Sequence, residues 1–155
     1  MLALGLGFVT GLRCFTAIAA VSWAAHLGWL DLHGSSLDFL SSTAAWSITS
    51  LLAAGEYVTD QMAWTPSRVS PGPLIGRILA GGVSGAALLA SADRSLAAGA
   101  ALGAVGAVAG AVTGYQVRGW LVQEKKVKDV LVGIPESLLA LGLAAALVAR
   151  AGSSG

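Results

Sequence analysis

Charge is scarce in this chain of 155 residues, where nine basic and eight acidic side chains make up 11% against about a quarter in a soluble domain. Hydrophobic types supply 55%, more than a soluble fold of this size can hide when it buries only about 68–70% of its surface. A soluble globular domain is therefore excluded. The same apolar excess excludes disorder, and a net charge of +1 excludes an extended nucleic-acid surface. Cysteine is reduced to Cys14, which leaves no intrachain disulfide and no oxidised, secreted scaffold. Residues 1–12 lack Lys and Arg, and Arg13 interrupts where the apolar core of a signal peptide would continue, so the N-terminus is expected to be retained.

Catalytic signatures are missing as well. His26 and His33 have no neighbouring Cys and no His-Glu-x-x-His spacing, so no metal site is expected. Cys14 and the serines have no base at a suggestive spacing, and no Walker loop or dinucleotide fingerprint occurs, so the chain is expected to be neither an enzyme nor a cofactor carrier.

What is present is a series of charge-free runs at 1–12, 14–30, 39–55, 78–92 and 95–117, followed by 130–150, which only Glu136 interrupts. A bilayer core of about 30 Å takes roughly 20 apolar residues per helix. The expected fold is all-α, a polytopic bundle of about five transmembrane helices near 14–30, 42–62, 74–91, 96–121 and 129–149, forming a single domain over 1–150. Residues 151–155 read as a linker tail. A helix from 2 to 30 would run about 43 Å, too long for one crossing and too short for two, so the first helix is expected to be broken near Gly11 or else to tilt as one long helix. Basic residues Arg68, Arg77, Arg118, Lys125, Lys126 and Lys128 fall on one side of these spans, with only Arg94 and Arg150 on the other. The positive-inside rule then puts the N-terminus in the cytoplasm and the C-terminus outside.

Span 96–121 carries Gly99, Gly103, Gly106, Gly110 and Gly114, a spacing that lets helix backbones approach closely at the bundle centre or at a dimer face. Val9-Thr10-Gly11 returns as Val112-Thr113-Gly114, each copy followed by an arginine. An odd number of spans between the copies would make this a weak inverted repeat.

Three groups of residues could carry chemistry. The segment 65–77 holds three of the chain's four prolines and leads into a helix whose N-terminus, together with Ser67, Arg68, Ser70 and Arg77, could cradle an anion or phosphate. If the entry helix is continuous from residue 2, Arg13 sits near mid-membrane and needs a partner, for which Glu56 and Asp60, four apart on one helix face, are candidates. Glu136 follows Pro135 in the last span. With Arg118 and Asp129 these residues form a polar layer that either marks a solute or proton path or merely pairs helix ends.

Gly11-Leu12-Arg13-Cys14-Phe15-Thr16, the segment Pro66-Ser67-Arg68-x-Ser70-Pro71-Gly72-Pro73-Leu74-x-Gly76-Arg77 and the ending Gly114-Tyr115-x-x-Arg118 together resemble the small bacterial inner-membrane proteins grouped as domain of unknown function 4126. The resemblance covers nearly the whole chain and makes Arg13, Arg68, Arg77 and Glu136 motif members, while Cys14 stands where relatives are expected to carry Ser. It implies a bacterial inner-membrane location and assigns no activity.

The expected function is a small transporter or channel for an anionic or phosphate-bearing solute, working as a homo-oligomer, a dimer being favoured, because five short helices enclose little cavity alone. The competing reading is a non-transporting scaffold that holds anionic lipid head groups on its basic loops. A membrane enzyme acting on lipid phosphates is a third reading and lacks a nucleophile or metal set.

Overall fold

A computed structural model of the chain describes residues 1–59, 70–121 and 129–153. Among these, six α-helices follow one another: α1 (Leu2–Leu12), α2 (Cys14–His26), α3 (Thr43–Thr59), α4 (Pro71–Ala90), α5 (Leu96–Gly119) and α6 (Asp129–Gly152), with one 3-10 turn at Asp38–Ser41. Pro71–Ala90, Leu96–Gly119 and Ile134–Gly152 are each long and apolar enough to cross a membrane, and they point to a membrane protein. Their outward side chains are apolar too, with Leu79, Val105 and Leu138 all more than 60% exposed.

The all-α bundle is as expected, but its first span is not. The break expected near Gly11 is present, but the helix after it, α2, has 13 residues where a crossing helix is expected at 14–30; with α1 of 11 residues the two are about 16 and 20 Å long, and neither spans a bilayer core. The break lies at Arg13, in an extended conformation with φ −140° and ψ 111°, two residues beyond Gly11.

Contacts fix the direction of each helix. Going up α1, Gly7 meets Gly103 and Gly11 meets Ala107 and Ala111, so α1 runs parallel to α5. Toward α6, Gly5 lies against Leu147 while Arg13 reaches Ser137, so α1 and α6 are antiparallel. From Arg13 onward the sense reverses, since α2 leaves Ser137 and its following turn arrives at Gly152, whose Cβ position is 2.7 Å from the Trp29 carbonyl. Helices α1 and α2 therefore form a re-entrant hairpin with its tip at Arg13.

Two expectations change with this reversal. The N-terminus and the end of α6 lie at the same end of the bundle, not at opposite ends, because the hairpin adds a turn that a single first span lacks. The two Val-Thr-Gly copies stand on parallel helices for the same reason, so an inverted repeat is not obtained. Two boundaries also move. Helix α4 starts at Pro71, three residues ahead of Leu74, because Pro71 supplies a helical φ at a position needing no N–H. Helix α6 continues through Ala151 and Gly152, and Ala151 packs on the core, so these two residues belong to the fold and not to a tail.

Glycine makes the hairpin's seat. A Cβ on Gly103 would stand 2.0 Å from the Gly81 carbonyl of α4, and one on Gly7 would stand 2.1 Å from the Gly103 carbonyl. On the next turns Gly106 and Gly110 face the carbonyls of Leu4 and Phe8 at 2.2 and 2.1 Å. Backbones of α1, α4 and α5 thus touch directly, which in lipid replaces the missing hydrophobic drive with dispersion contact. At the hairpin's open end, Trp23 stacks on Trp46 at 4.7 Å and donates from Nε1 to the Ser50 hydroxyl at 2.9 Å, tying α2 to α3.

Candidate functional site

The hairpin tip places a broken backbone in the interior of the bundle, about two turns from the ends of α4 and α6. Four N–H groups at the start of any helix have no partner within it, and in lipid each one left bare costs several kcal/mol. Glu56 of α3 answers this need for α2. Its Oε1 accepts the Cys14 N–H at 2.6 Å and its Oε2 accepts the Phe15 N–H at 2.9 Å. The carboxylate, on a residue 8% exposed, is thus a cap supplied by another helix, placed at the positive end of the α2 dipole.

Two guanidiniums meet Glu56, one at its carboxylate and one at its backbone carbonyl. Arg77 of α4, 5% exposed, holds Nη2 at 3.9 Å from Glu56 Oε1, an ion-pair distance too long for a hydrogen bond. Its Nη1 donates to the Pro73 carbonyl one turn back at 3.4 Å, and its Nε is buried with no hydrogen-bond partner among the described residues. Arg13, 2% exposed, donates from Nη1 to the Glu56 backbone carbonyl at 3.5 Å and from Nη2 to the Ser137 hydroxyl of α6. Its Cζ also sits 4.5 Å above the Tyr57 ring, a cation–π contact, and Tyr57 Oη donates to the Ser137 carbonyl at 3.4 Å. A single cluster therefore fastens the hairpin tip to α3, α4 and α6.

Two clefts flank it. One, of about 470 Å³, lies between α1, α5 and α6 and is lined by Phe8, Leu12, Arg118, Pro135 and Glu136 among others. The other, of about 670 Å³, lies between α2, α3 and α6 and runs from Trp29 and Trp23 to Thr16 and Tyr57. Along α6 the first cleft takes residues up to Leu139 and the second begins at Leu141, so Ser137, Arg13 and Tyr57 stand near where the two approach each other.

A family model described as a domain of unknown function (DUF4126) matches residues 1–151. The chain belongs to the DUF4126 family. No curated protein and no solved structure matches it, so the residues of this DUF4126 chain must speak through their geometry.

Of the residues singled out from sequence, the fold brings Arg13, Glu56 and Arg77 together. Arg118 and Glu136 share the smaller cleft. Ser70 stands at the N-cap of α4 and makes no side-chain cap bond there. Arg77 turns to Glu56 and the Pro73 carbonyl and not to the free N–H groups of α4, so the expected cradle at that helix N-terminus does not include it. Asp60, Ser67, Arg68 and the Asp129 side chain lie outside the described residues. Sequence reasoning missed Ser137, Tyr57 and the N–H groups of Cys14 and Phe15. Tyr57 reads as an interfacial aromatic, and only its place beside Glu56 could have signalled the contact with Arg13.

Proposed function

We propose that this DUF4126 protein carries a small anion across the membrane through the cluster at the hairpin tip. The observation that supports it is the meeting of two buried arginines at one residue, Arg77 at the Glu56 carboxylate and Arg13 at its backbone carbonyl, where a helix is broken inside an apolar bundle. Burying an arginine costs at least about 2.5–3.5 kcal/mol on insertion scales, which is an expensive way merely to fasten helices. Discontinuous helices whose N-termini point at anionic groups are the usual construction of a mid-membrane solute site, and the two clefts give it approaches from different sides.

The orientation we propose follows from the same rule as before applied to the observed topology. Arg77, in the second turn of α4, and Arg118, near the end of α5, lie toward the end opposite the two termini, which carries that end into the cytoplasm. Both termini then lie outside, and the membrane is the bacterial inner membrane.

Anion flux into proteoliposomes at varied pH tests the reading. Wild-type flux above the empty-liposome control, reduced at least tenfold by Arg77→Ala in a variant that still elutes as a folded particle, is the expected result. Equal flux from the two proteins would remove Arg77 from the path, and no flux from either would end the transport reading.

A further inference from the structure

The Glu56 carboxylate is held as a bound ligand would be. Both of its oxygens are taken, one by each of two consecutive N–H groups at the start of α2, with Arg77 facing the same Oε1 at 3.9 Å. These donors would serve any planar group with two oxygens at carboxylate spacing. Arg77 reinforces the point, because its Nε is buried without a hydrogen-bond partner among the described residues although the side chain is more than nine-tenths enclosed. Thr16, next along α2 and 2% exposed, likewise has a buried hydroxyl with no partner among the described residues, and it lines the 670 Å³ groove together with Ala53 and Tyr57, neighbours of Glu56 on α3.

We propose that Glu56 is a tethered stand-in for the solute: when protonated it turns from the Cys14 and Phe15 N–H groups toward the Thr16 end of the groove, and a small planar oxyanion takes its place. This rests on the anion-carrier reading and deepens it by naming the solute class and the coupling. The balance is one to one. One proton converts the carboxylate to a neutral acid, one monovalent oxyanion replaces its charge beside Arg13 and Arg77, and on release the acid gives up its proton and returns to cap α2. The site's charge is the same in both states. The charged groups at Glu56 are Arg77 from α4 at its carboxylate and Arg13 from the hairpin at its backbone carbonyl; Tyr57 and Ser137 meet Arg13 in turn, and the Cys14 thiol stands on the residue whose N–H the carboxylate accepts. Arg118 of α5 and Glu136 of α6 line the cleft on the other side of the tip. Neither arginine changes charge in the working pH range, which leaves the carboxyl as the switch.

Nitrate is the probe, because it is planar and monovalent and does not cross bilayers as a neutral acid. In the detergent-solubilised wild-type chain, the nitrate concentration that half-saturates a thermal-stability shift is expected to fall about tenfold for each unit the pH drops above the carboxyl's own titration. Chloride and sulfate at matched ionic strength should give a smaller shift. In proteoliposomes, wild-type nitrate uptake should be driven by an imposed proton gradient and carry protons with it. Glu56→Gln, which mimics the neutral acid, should bind nitrate independently of pH and carry it without protons. Nitrate binding that ignores pH in the wild type, or Glu56→Gln uptake that still carries protons, overturns the inference and leaves the carrier standing. Absence of both binding and flux for nitrate, chloride and sulfate in the wild type overturns the carrier itself. The wild-type titration decides the question even where Glu56→Gln fails to fold.

Discussion

Adding one methyl group to Gly103 tests the packing on which the site depends. The new Cβ would lie 2.0 Å from the Gly81 carbonyl oxygen and 2.8 Å from its carbon, where an ordinary contact begins at 3.4 Å. Helix α4 would have to retreat by about 1.4 Å, and since both obstructing atoms are backbone, no side-chain rotation can relieve the clash. Gly7 of α1 presses on the same residue from the other side, so α5 cannot yield toward the hairpin. Overpacking of this kind costs about 1–3 kcal/mol, and a Gly→Ala change in a helix returns up to about 1 kcal/mol in propensity. The net loss for Gly103→Ala should be about 1–2 kcal/mol. In a chain of this length each kcal/mol moves the thermal midpoint by about 2–4 °C, so unfolding in detergent, followed by tryptophan fluorescence, should shift down by about 2–8 °C. Gly142→Ala is the control, because a Cβ there meets nothing within 4 Å, and it should leave the midpoint unchanged or raise it. Gly103→Ala as stable as Gly142→Ala would refute the direct backbone contact of α4 and α5.

Further outcomes follow from single contacts. Ser22 is fully buried with a hydroxyl that has no partner among the described residues, so Ser22→Ala should raise stability by about 1 kcal/mol, seen as an upward shift in the same assay. Ser84→Ala, which removes the bond to the Ala80 carbonyl at 2.8 Å, should not. Arg13→Lys keeps the charge and loses the planar group that serves Glu56, Ser137 and Tyr57 at once, so it should cost about 2 kcal/mol. A midpoint equal to wild type would show that charge alone suffices there. Single cysteines at Leu2 and Ser153, in a Cys14→Ser background, should react with an impermeant maleimide from the same side of oriented vesicles. Labelling from opposite sides would contradict the hairpin.

The scarcity and placement of charge made the helical membrane class legible, since lipid leaves few choices of backbone once runs of apolar residues are counted. Arg13, Glu56 and Arg77 stood out because an ionisable group in such a run needs a partner. The hairpin was less legible. Residues 2–30 pose a length problem that a broken helix solves, but the sequence does not say whether the chain continues or reverses at the break. That choice is decided by glycines of α5, far along the chain, and by a carboxylate on α3 that caps α2. Ser137 and the two capping N–H groups carry no local mark, because a hydroxyl and a backbone become functional only when tertiary contact brings them to a charge.

The seat of α1 also bears on how the molecule is made. Gly7 and Gly11 rest on α5 residues that leave the ribosome about a hundred residues after them, and loop closure over such a distance is slow compared with local contacts. Until α5 arrives, the hairpin has only its contacts with α3 and α4 to hold it, and its half-depth helices are too short to anchor as independent spans. Completion of the hairpin's seat therefore waits for α5, the fifth of the six helices in chain order.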